Sequence, residues 1–395
     1  MAKDAAPAVA PAVPGAAGDE PGAASSPTVE PAPDLPAVPP APSTTAAPRA
    51  PRGSSHVLAR YLALRLVLIV PTVWILVSVV FLFLRVIGDP ITAAQGGRLP
   101  PDKIEALKQA AGYNDPIIIQ YGRFLRDLVH LNFGTTLTDN RPVARLLIQY
   151  GPATAELVFW ALIVAFAVGI PLGRLAARHY NRGPDMAIRT FAVLFYAAPV
   201  FFLAIVLKLI FAIWLGWLPV SGRASITVQS ALESKAHVNT HIYIANALMS
   251  GQSSYILDVL RHAVLPGLAL GLMTAGVFIR LIRINLLQTL RADFVTAARA
   301  RGVSEGKVVA RHAFRNALIP VVTVMGMEIA MMLGGAILTE TSFEWQGLGY
   351  ALSQYLLKRD FVAVQGIVVA IAVIVAVASF LIDVVNALVD PRVRY

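Results

Sequence analysis

No cysteine occurs anywhere in the 395 residues. That removes disulfide frameworks and thiolate metal sites. Charge is scarce as well: 14% of residues are charged, against about 25% in soluble domains. With 56% hydrophobic residues and a mean hydropathy of +0.65, the chain reads as a membrane protein. It has no G-x-x-x-x-G-K-S/T run. The nearest approach, Gly302 to Lys307, has the wrong spacing and no Ser or Thr after the Lys. ATP hydrolysis in the P-loop manner is therefore excluded. Neither H-E-x-x-H nor G-x-S-x-G occurs, so zinc-protease and esterase chemistry have no motif. The net charge of +10 would point to nucleic acid in a soluble protein. Here the cations cluster beside apolar runs, where membrane topology and anionic lipid account for them, and no nucleic-acid partner is expected.

What is present is a series of long apolar runs. Residues 62–87, 153–175, 191–215, 264–284, 321–339 and 361–388 are each long enough to cross a bilayer. The expectation is an all-α integral membrane protein with six transmembrane helices. Residues 1–55 are Ala, Pro, Gly, Ser and Thr with scattered acids, a composition that predicts a disordered tail. Arg60 and Arg65 flank the first run, and Arg174, Arg178, Arg182 and Arg189 fill the loop after the second. Cations mark the cytosolic side, so both termini are placed in the cytosol. The segments 88–150, 218–261 and 340–360 then lie outside. Within the first of them, Lys103 to Ala110 and Tyr121 to His130 read as short amphipathic helices. Trp214 and Trp217 form an interfacial belt at the outer end of the third span.

Between the fourth and fifth runs lies a polar, basic stretch, 291–318. It carries Arg299, Arg301, Lys307, Arg311 and Arg315 against Asp293 and Glu305, which puts it inside the cell. Gly302 interrupts a helix-forming run, so two short helices with a turn between them are expected. Ser304 is positioned to cap the second, with Lys307, Arg311 and Arg315 on one face. Such a helix pair is suited to docking a soluble partner.

That stretch resembles the coupling loop of ABC-importer permeases, whose pattern is Glu-Ala-Ala, three residues, Gly, and about nine more to Ile-x-Leu-Pro. The matching positions are Thr296, Ala297, Ala298 and Gly302, ending at Ala317-Leu318-Ile319-Pro320. Thr296 stands where the general pattern has Glu, as is common in the peptide-transporting branch. Other phrases are similar to the same family: LRVIGDP (84–90), FGTTLTDNRPVARLL (133–147), LPVSG (218–222), TETSFEWQGLG (339–349) and the closing DPRVRY. Gln346 replaces a family Pro. The resemblance spans roughly Leu62 to Tyr395 and implies the B-type permease subunit of a dipeptide/oligopeptide ABC importer, with the type I permease fold and its transmembrane domain at about 152–388. It further implies a second homologous permease, two ATPase domains, an extracellular solute-binding protein and a peptide substrate, with nickel, haem or another solute as alternatives. ATP and Mg would then sit on the ATPase subunits, and this chain would bind no cofactor and catalyse no reaction. An ion-coupled secondary transporter would instead show inverted repeats and several buried acids, which are not seen. The coupling residues implied are Asp293, Thr296, Ala297, Ala298, Arg299, Arg301, Gly302, Arg311 and Pro320.

Two charged residues sit inside apolar runs: Lys208 in the third and Glu328 about midway along the fifth. Each costs roughly 2.5–3.5 kcal/mol at bilayer depth, so both are candidates for the translocation path. Lys208 lies nearer the outer end, and snorkelling towards Trp217 or a structural partner is its other reading. A hydrogen bond to a neighbouring helix is that of Glu328. Gly326, Gly334 and Gly335 are expected at close helix contacts. His237 and His241, four apart, would share a helix face, but no third ligand completes a metal site.

Overall fold

The computed structural model describes residues 54–389, apart from 96, 98 and 236–239. The expected tail, except for its last two residues, lies outside the described residues. So do His237 and the closing DPRVRY.

The described chain is helical throughout its ordered elements, and one isolated antiparallel bridge joins Thr135 to Pro142. Helix α1 (Ser54–Ile87) runs into three short helices, α2 (Pro90–Gln95), α3 (Pro101–Ala110) and α4 (Ile117–Val129). The long α5 (Val143–Arg178) follows, then α6 (Gly183–Ala197) and α7 (Val200–Leu207), which continues as π-helix over Lys208–Trp214. Helices α8 (Ile226–Lys235) and α9 (Tyr243–Met249) precede the second long helix, α10 (Ser253–Leu290). A knot of short helices comes next: α11 (Asp293–Ala300), α12 (Glu305–Lys307), a π-helical stretch over Val308–Ala313, and α13 (Phe314–Ala317). Helices α14 (Ile319–Phe343), α15 (Leu348–Leu357) and α16 (Phe361–Val389) complete the chain.

Helices α1, α5, α10, α14 and α16 are each long and apolar enough to cross a membrane. The third apolar run, expected as one span over 191–215, departs from that expectation. It is built from α6 and α7, bent by 108° at the break between them. Pro199 is the reason. Its ring excludes the α conformation for the residue before it, and Ala198 adopts φ −71°, ψ 130°. Helices α5 and α10 also run well past the apolar segments expected for them, through polar flanks at both ends.

The centre of the bundle is the packing of α10 on α5. Small residues allow it. A Cβ on Gly271 would lie 2.5 Å from the Ala161 carbonyl oxygen, and one on Gly173 would lie 2.9 Å from Ile282 Cβ. Of the three fifth-span glycines expected at contacts, Gly326 lies against Ile382, where a Cβ would collide with Cγ2, and a Cβ on Gly335 would lie 3.1 Å from Leu270 Cδ1. Gly334 has no atom within 4 Å of its Cβ position, so that expectation is corrected.

Candidate functional site: a docking loop, a charged cavity and a buried polar frame

The basic stretch after α10 is a folded knob. Val295 and Ala298 on α11, Val308 and Ala313 on the π-helical stretch and Ala317 on α13 are buried against Ala177 of α5 and Leu286 of α10. The Arg174 guanidinium lies over the Phe314 ring, 4.7 Å from its centroid. The knob is thus seated on the C-terminal ends of the two central helices.

Its turn is a complete Schellman closure. The Gly302 amide donates to the Arg299 carbonyl at 2.9 Å, and the Val303 amide to that of Ala298 at 3.2 Å. The closing residue must adopt the left-handed conformation, and Gly302 has φ +76°. Val303 then packs back into the cluster that holds Ala298.

The expected site residues divide by this geometry. Asp293, Thr296, Ala297, Arg299, Arg301, Gly302, Arg311 and Pro320 are exposed, whereas Ala298 is buried and serves packing. Arg299 is engaged within the knob: its Nε and Nη2 donate to Glu305 at 2.9 and 2.7 Å. This guanidinium holds the Glu305 carboxyl below its ordinary pKa. Arg301 folds back onto the Ala297 carbonyl at 3.3 Å. Ser304 occupies the N-cap position but makes no side-chain cap bond, which corrects the capping expectation. The π-helical stretch widens the turn after Lys307, so the expected face of Lys307, Arg311 and Arg315 is not an ordinary α-helical stripe.

A cavity of about 500 Å³ opens between α6 and α10, with Glu328 of α14 on its wall. Arg189, Arg280 and Arg283 line it too. Arg283 is committed to buried Asp185: Nε to Oδ1 at 2.6 Å and Nη2 to Oδ2 at 2.8 Å. Arg189 reaches the same carboxylate at 4.0 Å. Arg280 and Glu328 make no side-chain hydrogen bond or ion pair among the described residues. Lys208 is elsewhere. Its ammonium donates to the Ser342 carbonyl at 2.8 Å and lies 5.6 Å from the Phe343 ring centroid. It ties the π-helical segment to the end of α14, in line with the structural-partner reading.

At the opposite end of the bundle from the knob, three carboxylates and an arginine are buried. The Arg223 Nη2 donates to Glu156 at 2.5 Å and to the His241 carbonyl at 2.9 Å. Glu156 also accepts the amides of Tyr243 and Ile244 at 3.3 and 3.0 Å. Glu340, fully buried, accepts the Thr154 hydroxyl at 2.6 Å and the Tyr350 amide at 2.9 Å. Asp360, also fully buried, accepts the Thr138 amide at 2.8 Å. Buried Trp345 donates its indole N–H to the Ala153 carbonyl at 2.8 Å. The phrase TETSFEWQGLG is thereby accounted for. Gly347 leaves room for the Glu340 carboxylate, and Gly349 lets the chain lie against the backbone of Ile337; a Cβ on either glycine would collide with these neighbours. His241, with φ +58°, lies outside any helix; the face it was expected to share involves His237, which is outside the described residues.

Sequence reasoning missed Glu156, Arg223, Asp185 and Arg283 as a structural set. The available signal was Glu156 inside an apolar helix, since a lone carboxylate at such a position demands a partner.

Five membrane-crossing helices and a sixth, bent one define a multi-pass helical membrane protein. Residues 169–395 match the family described as "Binding-protein-dependent transport system inner membrane component", and residues 57–158 match its N-terminal companion. The chain belongs to this family of transport-system membrane components. It is 33% identical over 336 residues to the dipeptide transport system permease protein DppB of Alkalihalophilus pseudofirmus, covering 85% of this chain and 99% of the relative. It is 35% identical over 338 residues to the di/tripeptide permease DppB of Pseudomonas aeruginosa (85% and 98%). The glutathione transport system permease protein GsiC of Salmonella paratyphi A is 32% identical, with 85% and 99% covered. Among solved structures, an inward-facing MetNI methionine ABC transporter aligns over 63% of this chain and 98% of its own, at TM-score 0.48 and 15% identity.

Proposed function

We propose that this chain is the membrane-spanning permease subunit of an ATP-driven importer of di- and oligopeptides. It works with a second homologous permease, two ATPase domains and an extracytoplasmic solute-binding protein. ATP and Mg bind the ATPase chains, and this chain itself is non-catalytic and carries no cofactor. The observation that carries the reading is the knob at 293–317. It is an exposed, cationic set of short helices packed on the ends of α5 and α10, in a chain about one third identical to dipeptide permeases over nearly their whole length.

The knob end and the arginines of 174–189 face the cytosol by the positive-inside rule, which also places both termini there. The buried polar frame then lies at the outer end, where a binding protein delivers its load. Within this reading Lys208 is structural, because its ammonium is satisfied by Ser342. Glu328 belongs to the translocation path. A carboxylate at bilayer depth faces protein or water and not lipid, and here it faces a cavity.

The test is reconstitution of the complex in vesicles with its binding protein. Expected is MgATP-dependent uptake of labelled di- and tripeptides, with hydrolysis stimulated by loaded binding protein. Uptake of haem or nickel in place of peptide would overturn the substrate assignment and leave the importer assignment standing. Uptake by the permeases alone, driven by an ion gradient, would overturn both.

A further inference from the structure

The cavity beside α6, α10 and α14 carries both signs of charge at one level. Arg280 stands ten residues before the end of α10 and Glu328 nine residues after the start of α14. At about 1.5 Å per residue, both lie roughly 13–15 Å from the same ends of their helices. Arg189, on the first half of α6, adds a second cation nearer that end. Asp185 consumes the charge of Arg283, while Arg280 and Glu328 stay unneutralised by any described side chain. Two opposite charges that share a cavity yet do not pair are an arrangement with no structural pay-off. Left to themselves at bilayer depth, they would be expected to bond.

Resting on the peptide-importer reading, we infer that this cavity is a transit site for a zwitterion. Arg280, with Arg189, meets the peptide's α-carboxylate, and Glu328 meets its α-ammonium. Guanidinium matches a carboxylate through paired N–H donors. The cavity, about 500 Å³, falls in the ~300–1,000 Å³ range of small-molecule sites. The remaining wall is mostly aliphatic, with Val193, Val277, Leu281 and Ile284 beside the Tyr196 ring. Both termini are common to every unmodified peptide, so such a site passes peptides irrespective of side chain. Charge contacts that stay partly exposed are weak enough to release.

The experiment uses the assembled complex, and the cysteine-free chain makes it direct. Val193, an exposed cavity-wall residue on α6, is replaced as Val193→Cys. Its modification rates are measured with an anionic sulfonate and a cationic trimethylammonium methanethiosulfonate reagent. Adding Arg280→Gln should lower the anion-to-cation rate ratio roughly three- to tenfold, and adding Glu328→Gln should raise it by a similar factor. Without the reporter cysteine, both single variants should slow import of dialanine, and Arg280→Lys should restore most of the rate. A thiol unreactive towards both reagents in the complex, or a ratio unmoved by either substitution while the unsubstituted complex imports dialanine, overturns the inference alone. An unsubstituted complex that imports another solute and no peptide overturns the substrate reading and the inference with it.

Discussion

Gly302 offers the sharpest perturbation of the proposed docking surface. Its φ of +76° is required by the closure that joins α11 to the rest of the knob. An L side chain in the left-handed region costs about 1–2 kcal/mol. No atom lies within 4 Å of the Cβ position, so no steric term adds to the conformational one. About 1 kcal/mol changes an equilibrium roughly fivefold, and about 2 kcal/mol roughly thirtyfold. Gly302→Ala should therefore weaken binding of the purified ATPase to the permease in nanodiscs by about five- to thirtyfold. Gly302→Val should be worse, because β-branched residues are rare outliers at positive φ. Gly302→Asn should stay close to the parent, since Asn tolerates this region. Insertion and thermal stability of the bundle should be nearly unchanged in all three, the turn being exposed. Equal affinities for Gly and Val, or Asn as damaging as Val, would refute the argument that backbone geometry at this turn shapes the docking face.

Three further outcomes are expected. Arg299→Ala and Glu305→Ala should each weaken ATPase binding modestly, with a coupling of at most about 1 kcal/mol in a double-mutant cycle that shrinks in high salt, because the pair is exposed. Removing the arginine alone from the buried Glu156–Arg223 pair, as Arg223→Met, should cost about 3–5 kcal/mol in thermal or denaturant unfolding; the joint change Glu156→Gln with Arg223→Met should recover part of it, because the neutral Gln still accepts from the Tyr243 or Ile244 amide and leaves no buried unpaired charge. Gly271→Ala should destabilise by about 1–3 kcal/mol through contact with the Ala161 carbonyl, whereas Gly334→Ala, with open space at its Cβ, should be neutral or gain about 0.5–1 kcal/mol in the same assay.

Much of this architecture is legible in the chain. The apolar runs announce the spans, and the interrupted basic stretch announces two helices about Gly302. What escaped has physical causes. The polar flanks of α5 and α10 have loop-like composition, yet they stay helical because other helices cover them. The 108° break was hidden inside an uninterrupted apolar run; Pro199 was the visible mark of it. The polar frame joins residues 67 and 186 positions apart, Arg223 to Glu156 and Glu340 to Thr154, and no local pattern encodes such pairings. Arg299 reads as a free cation until Glu305 is brought around the turn to meet it.

The glycine-lined seam between α5 and α10 has a mechanical consequence. A Cβ on Gly271 would stand 2.5 Å from the Ala161 carbonyl oxygen, so at that point backbone rests on backbone with no side chain interposed. The two helices behave as one strut, and α5 alone, at 36 residues, is roughly 54 Å long. The knob grips one end of that strut, and the Trp345 and Glu156 bonds grip the other. If the knob receives an ATPase, as proposed, a displacement there would be carried along the paired helices towards the far face. The third span is the jointed element by contrast, with a bend and a π-helical turn in series.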